Sequence, residues 1–190
     1  VPAKLLVDSL REFADQPLEF KTNDNQLILD ITWATGNAKL PYTTAEDYPS
    51  IPELDESCTT ITINSRILLE GINRTLYATA EEELRPVMNG IYFDIDESNT
   101  TLVASDAHKL VCYTRHDIKS ESRSSFILPK KPSSVLKNIL GKADEHVIIK
   151  FDNRNATFVF ESFNLVCRLV EGNYPAYKSV IPKNNTNKLV

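Results

Sequence analysis

Glu171-Gly172-Asn173-Tyr174-Pro175, followed shortly by Ile181-Pro182, closes a stretch that opens at Leu128-Pro129 and runs through a helical pattern into alternating apolar strands. The first fifty residues carry the same frame. Val1-Pro2 leads into a helical pattern, strand-like runs follow, and Glu46-Asp47-Tyr48-Pro49 with Ile51-Pro52 ends it. Tyr48 and Tyr174 stand 126 positions apart. A period of that size means tandem globular copies, not a solenoid of short units. The first copy lacks its opening half. The expected organisation is therefore 1–57 as the C-terminal half of one domain, 58–182 as a complete second copy, and 183–190 as a connector.

Working outward from the frame, Ala3, Leu6, Val7, Leu10 and Phe13 recur at helical spacing across Pro2–Phe13, with Pro2 suited to the first turn. Strand-like runs follow at Leu18–Thr22 and Leu27–Thr35, and a proline-punctuated linker runs from Tyr48 to Glu56. The second copy reads as a strand at Thr59–Ile63 and a helix at Ser65–Thr79, capped by Asn64 or Ser65 and striped by Leu68, Ile72 and Leu76. Strands are expected near Gly90–Asp96, Thr101–Ser105, Leu110–Arg115 and Ser125–Leu128. A helix over Ser133–Leu140, starting behind Pro132 and stopping at Gly141, precedes strands at His146–Phe151, Ala156–Glu161 and Leu165–Val170. Helices and neighbouring strand runs in this order imply an α+β fold, each domain packing two helices on antiparallel sheets.

Of the 190 residues, 42 % are apolar and 25 % charged, enough for a real core. Nothing approaches the roughly 20 apolar residues of a membrane span. The net charge of −5, from 21 basic and 26 acidic residues, argues against a surface that binds nucleic acid all over, but not against positive charge confined to one face. Cys58, Cys112 and Cys167 are odd in number and widely spaced, which fits reduced, buried thiols.

Met88-Asn89-Gly90-Ile91-Tyr92-Phe93, then Leu102-Val103-Ala104-Ser105-Asp106-Ala107-His108-Lys109-Leu110, resembles the middle domain of the bacterial β sliding clamp, the beta subunit of DNA polymerase III. So does Glu171-Gly172-Asn173-Tyr174-Pro175-Ala176-Tyr177 with Val180-Ile181-Pro182. The resemblance covers essentially the whole chain and implies a DNA-clamp fold: part of a first domain, all of a second, and a connector to a third. It implies a processivity factor with no active site of its own and no cofactor, in the bacterial cytoplasm. Two copies of the full-length protein would form a homodimeric ring around duplex DNA, without sequence preference. Polymerase catalytic subunit, clamp loader and other clamp-motif proteins would dock through short peptides. Carried over by motif, this domain's share of the peptide groove is Met88, Ser105, Ala107, His108, Lys109, Leu110, Pro175, Ser179 and Val180. Leu110, Val180, Pro175 and Met88 can desolvate Leu or Phe anchors. The family usually has Thr, Gly and Arg where Ser105, Ala107 and Lys109 stand, and Lys lacks the planar fork of Arg. Lys4, Arg66, Lys130 and Lys131 are the candidate DNA-facing residues, with Arg11, Arg74 and Lys137 beside them. Sliding requires only a weak attraction from such residues to phosphates.

Other readings stay open on the residues alone. Leu110 and Val180 could be core, and the basic residues could be solvated helix charges. The same repeated fold could serve as a peptide-binding or assembly module unrelated to DNA. Asp94-Ile95-Asp96-Glu97-Ser98-Asn99 begins like a calcium loop but has Asn99 and Ser105 where Gly and Glu are needed, so it reads as a hairpin turn. A hydrolase using Asp94 and Asp96 is the enzymatic alternative. Ser105, Asp106 and His108 include the residue types of a triad, yet sequence neighbours are rarely arranged for relay and no nucleophile-elbow glycines flank the serine.

Overall fold

The computed structural model describes residues 1–46, 48, 50–55, 57–81, 84–118, 120, 122–141 and 146–182. The connector 183–190, Asp47 and Pro49 of the first closing motif, and Glu56 of the linker lie outside the described residues. The chain divides into two compact units, Val1–Ser50 and Ile51–Val190.

In the first unit, α1 (Ala3–Arg11) precedes an antiparallel meander of β1 (Glu19–Asn23), β2 (Ile28–Trp33) and β3 (Gly36–Pro41). Pro2 is the N-cap of α1, not its first residue; its carbonyl accepts from Leu6 N at 3.1 Å. Leu29, Ile31 and Leu40 form a small core against which Leu6, Phe13, Leu18 and Tyr42 pack. Leu29 and Ile31 point inward two residues apart, as the pleat requires. β3 is a strand that the sequence pattern does not announce: Gly36, Asn37 and Pro41 all disfavour strands. It forms because β2 offers a complete ladder, with Ile31 opposite Ala38 and Leu29 opposite Leu40.

The described residues of the second unit form two four-stranded antiparallel sheets. Thr59–Asn64 (β4) leads to Ser65–Thr75 (α2); β5 (Gly90–Ile95), β6 (Thr100–Ser105), β7 (Leu110–Arg115) and β8 (Ser124–Pro129) follow. Then come α3 (Lys130–Leu140), β9 (His146–Phe151), β10 (Asn155–Val159), β11 (Asn164–Arg168) and a single helical turn, α4 (Tyr177–Val180). The sheet orders are β11-β10-β9-β4 and β7-β6-β5-β8. Leu68 and Ile72 from α2, Leu136 and Leu140 from α3, and Phe93, Ile149 and Phe158 from the two sheets share one buried core.

The helix boundaries have local causes. Asn64 Oδ1 accepts from Arg66 N at 2.9 Å, capping α2. That helix stops at Thr75 and tightens into a 3-10 turn over Leu76–Ala78, so it is shorter than its apolar stripe suggests. The Thr75 hydroxyl bonds back to the Gly71 carbonyl at 2.7 Å, a contact that competes with a continuing helix. α3 starts at Lys130, three residues before the expected Ser133, with Pro129 as its N-cap. Pro132 is tolerated because amides in the first turn have no intrahelical acceptor to lose. Gly141 ends α3 with an ordinary helical φ of −68°, not a left-handed cap.

Three hairpins of this unit close in the same way. Asp96 Oδ1 accepts from Ser98 N at 2.7 Å and Asn99 N at 2.8 Å. Asp106 Oδ1 does so from His108 N and Lys109 N, and Asp152 Oδ1 from Arg154 N and Asn155 N. The Ser98 hydroxyl and the two backbone amides hold the Asp96 carboxyl at a pKa of about 2. The stretch that begins like a calcium loop is thus the β5–β6 hairpin turn.

Candidate functional site

Three segments of the second unit converge on one cleft of about 580 Å³: the 3-10 turn Pro86–Met88, the β6–β7 hairpin, and the run from Tyr174 to Pro182. Met88, Ser105, Ala107, His108, Lys109, Leu110, Pro175, Ser179 and Val180 all line it. Tyr174, Ala176, Tyr177, Ile181 and Pro182, none of them among the nine expected positions, complete the wall. The motif Tyr174-Pro175-Ala176-Tyr177 carries the signal for three of them, since aromatic residues flanking Pro175 suit an apolar floor.

The hairpin is fixed by its own polar groups. Ser105 Oγ donates to the Lys109 carbonyl at 2.8 Å and accepts from Ala107 N at 3.1 Å. Asp106 binds two backbone amides and pairs with the Lys109 ammonium, which together hold its carboxyl well below the usual range, the ammonium contributing most. Ser105, Asp106 and His108 therefore shape a turn: no hydrogen bond links Ser105 Oγ to a histidine, and Asp106 meets the His108 backbone, not its ring. This leaves Ala107 at a φ of +74°, a conformation costly for any residue with a Cβ.

The floor is aromatic. Tyr174 stacks on Tyr92 with ring centroids 4.7 Å apart, and Tyr177 meets Tyr92 edge-on at 6.3 Å. Burial pushes the Tyr174 hydroxyl up to about 12; it raises Tyr177 further, with help from the Asp94 carboxylate. Val180 is 68 % exposed and so is not a core residue, whereas Leu110 is half-buried. A rim of exposed aliphatic carbon over an aromatic floor, edged by His108 and Lys109, suits an extended apolar peptide with a few polar groups.

The candidate DNA-facing residues show a regularity of their own. Lys4, Arg66 and Lys131 each occupy the second position of their helix, and none of the three helices has an acidic residue in its first turn. Lys130 precedes Lys131 at the start of α3 and pairs with Glu81. Among the neighbouring candidates, Arg11 pairs with Asp8, and Arg74 pairs with Glu70 while lying over the Tyr113 ring. Lys4 belongs to the first unit and the others to the second. Among the described residues, no three His, Cys, Asp or Glu side chains are grouped to hold a metal ion, and no helix is long and apolar enough to cross a membrane. The three cysteines are free thiols, but none is fully buried as expected: Cys58 and Cys167 are half-buried, and Cys112 is exposed on β7 because its side chain alternates away from the core.

Residues 62–176 match the family described as the central domain of the DNA polymerase III beta subunit. The chain belongs to that family. The beta sliding clamp of Borreliella burgdorferi is 35 % identical over 130 residues, covering 67 % of this chain and 33 % of that protein. The beta sliding clamp of Staphylococcus epidermidis is 27 % identical over 190 residues, covering the whole chain and 50 % of the relative. The crystal structure of the DNA polymerase III subunit beta from Pseudomonas aeruginosa superposes with a TM-score of 0.89 at 25 % identity, over 97 % of this chain and 50 % of that one. The chain thus spans half or less of the length of these relatives.

The strained hairpin has a simple test. Because Ala107 holds a φ of +74°, Ala107→Gly is expected to stabilise the fold by about 0.5–1 kcal/mol, the relief of positive φ exceeding the added chain entropy of Gly. A rise in the urea midpoint at unchanged slope is the expected reading. A lower midpoint would mean that the turn is not strained.

Proposed function

We propose that the intact protein is a sliding clamp: an accessory, non-catalytic subunit that tethers a replicative DNA polymerase to its template in the bacterial cytoplasm. Two copies close into a ring around duplex DNA, and the ring slides. In this reading residues 1–57 are the end of the first clamp domain, 58–182 the second, and 183–190 the connector to a third. Polymerase, clamp loader and other partners dock short peptides in the cleft lined by Met88, Leu110, Pro175 and Val180. The observation that carries the reading is the match of residues 62–176 to the beta subunit's central domain.

Two physical features support it. A cation in the first turn opposes the helix macrodipole and lowers helix stability by about 0.3–1 kcal/mol, so Lys4, Arg66, Lys130 and Lys131 do not serve the helices that carry them. Each adds to the positive end of its own helix, Lys130 less than the others because it pairs with Glu81, and positive helix ends attract phosphate without regard to sequence. The chain as a whole is acidic, with a net charge of −5, which discourages DNA from binding away from these residues.

Loading the intact protein onto nicked circular DNA with its cognate loader, then linearising the circle, tests the reading. Retention on circles and loss from linear ends is the expected outcome, because a ring is held by topology and not by contacts. Equal retention on both forms would mean direct binding. Absence from both, with loading verified by an established clamp, would favour the peptide-binding module unrelated to DNA.

A further inference from the structure

β5 carries its core residues Ile91, Phe93 and Ile95 on one face, so Tyr92 and Asp94 share the other. Tyr92 supports the cleft floor. Asp94 is only 6 % exposed, a carboxylate taken out of water, and such a group is costly unless paired. Its partners come from two places. Tyr177 Oη donates to its Oδ2 at 2.8 Å, Lys178 Nζ lies 3.2 Å from the same oxygen, and the Arg123 guanidinium lies 3.6 Å from Oδ1. Tyr177 and Lys178 open α4, the turn that carries Ser179 and Val180 into the cleft. A helix of four residues with no side-chain N-cap cannot hold itself in water. Its position must come from what its first residues grip.

We propose that Asp94 is a positioning residue of the cleft, anchoring Tyr177 and Lys178 from beneath so that Ser179 and Val180 stand ready for a peptide. The proposal rests on reading the cleft as a peptide site and adds what holds one of its walls. Anchoring places the ordering cost of the wall in the folding of the protein and removes it from the binding step. Without the anchor, the binding-competent arrangement is one of several, and apparent affinity falls by the fraction of molecules that hold it.

The test uses the intact protein and a fluorescein-labelled five-residue peptide bearing Leu and Phe side chains, read by anisotropy well below the melting temperature. Tyr177→Phe keeps the ring and removes the donor; Asp94→Leu removes the acceptor; Asp94→Asn keeps an acceptor oxygen. Tyr177→Phe and Asp94→Leu are each expected to weaken the peptide about fivefold or more, with the double variant no worse than Asp94→Leu alone, because Asp94→Leu already releases Tyr177 together with Lys178. Asp94→Asn should recover most of the affinity. Amide hydrogen exchange at Ser179 and Val180 should quicken in Tyr177→Phe, whose ring stays buried and whose fold is therefore expected to persist. Leu110→Ala with Val180→Ala is the control for the site itself. If that control loses the peptide while Tyr177→Phe keeps parental affinity and exchange, the anchoring role is overturned and the cleft stands. A lower melting point with unchanged affinity would equally overturn it, since the bond would then serve stability alone. If the control also binds like the parent, the cleft is not the peptide site and the proposal falls with it.

Discussion

The Leu110→Ala/Val180→Ala double variant is expected to lose its docking peptide almost completely while keeping its fold and its ring. Together the two changes delete five aliphatic carbons from the cleft. At about 0.8 kcal/mol per buried carbon the loss is about 3–4 kcal/mol, or several hundred-fold in Kd. The fold should hardly notice the Val180 change, because that side chain is 68 % exposed in the free protein. Leu110 is half-buried at the start of β7, where it pairs with Ser105, so its truncation should lower stability modestly. Anisotropy with the labelled peptide reads the affinity, and gel filtration of the intact protein reads the ring. Parental affinity in the double variant would end the assignment of the cleft as a peptide site.

The largest expected loss of stability comes from adding one carbon at Gly90. A Cβ there would lie 2.4 Å from the Leu128 carbonyl oxygen and 2.9 Å from both Leu128 C and Ile127 Cγ2. Two of these are backbone atoms of β8, the strand that pairs with β5 from Gly90–Pro129 to Ile95–Ser124. A side chain can rotate away from an intruding methyl group; the backbone of an edge strand whose Phe126, Ile127 and Leu128 are buried can move only by breaking its ladder with β5. Gly90→Ala is therefore expected to cost about 3 kcal/mol, at the upper end for overpacking. For a unit of this size that is a fall in Tm of about 10 °C. Gly141 gives the contrast, since a Cβ there meets nothing within 4 Å and the φ of −68° suits any residue. Calorimetry of Gly90→Ala beside Gly141→Ala makes the comparison, and a drop of under about 2 °C for Gly90→Ala would refute the close approach.

Much of this architecture was legible because the chain repeats itself. α1, β1 and β2 are followed at nearly constant spacing by α3, β9 and β10, and the N-caps Pro2 and Pro129 stand 127 positions apart. The same spacing would have revealed β3, since β11 lies where its counterpart should, but Gly36, Asn37 and Pro41 hid it from a propensity reading. The start of α3 at Lys130 is not marked in the pattern, because Pro132 reads as a helix boundary, although a proline in the first turn removes no intrahelical hydrogen bond. The cleft was legible in part. Its nine motif positions follow from resemblance, and they line one cavity. The rest depended on long-range pairing. The contact between Asp94 and Tyr177 joins residues on separate elements far apart in the chain, and no local pattern marks a carboxylate as buried or a tyrosine as its partner. The positive φ of Ala107 was equally hidden, because Ala carries no sign of the backbone it is forced to adopt.

The sheet order has a consequence for how the second unit is made. β5, β6 and β7 form a local meander, each turn closed by an aspartate, and such hairpins assemble within microseconds of leaving the ribosome. β4 must wait, because its partner is β9, with Ile61 opposite Ile149 and Ile63 opposite Val147. Until residue 151 has emerged, the apolar side of β4 has no ladder, and the helix that follows it has only half a floor. Pairing β4 with β9 closes a far longer loop than any hairpin of this unit, so it carries the larger entropic cost. During synthesis the nascent chain carries an unpaired β4 that invites chaperones or a second nascent chain, and one of its sides is covered only when β9 arrives.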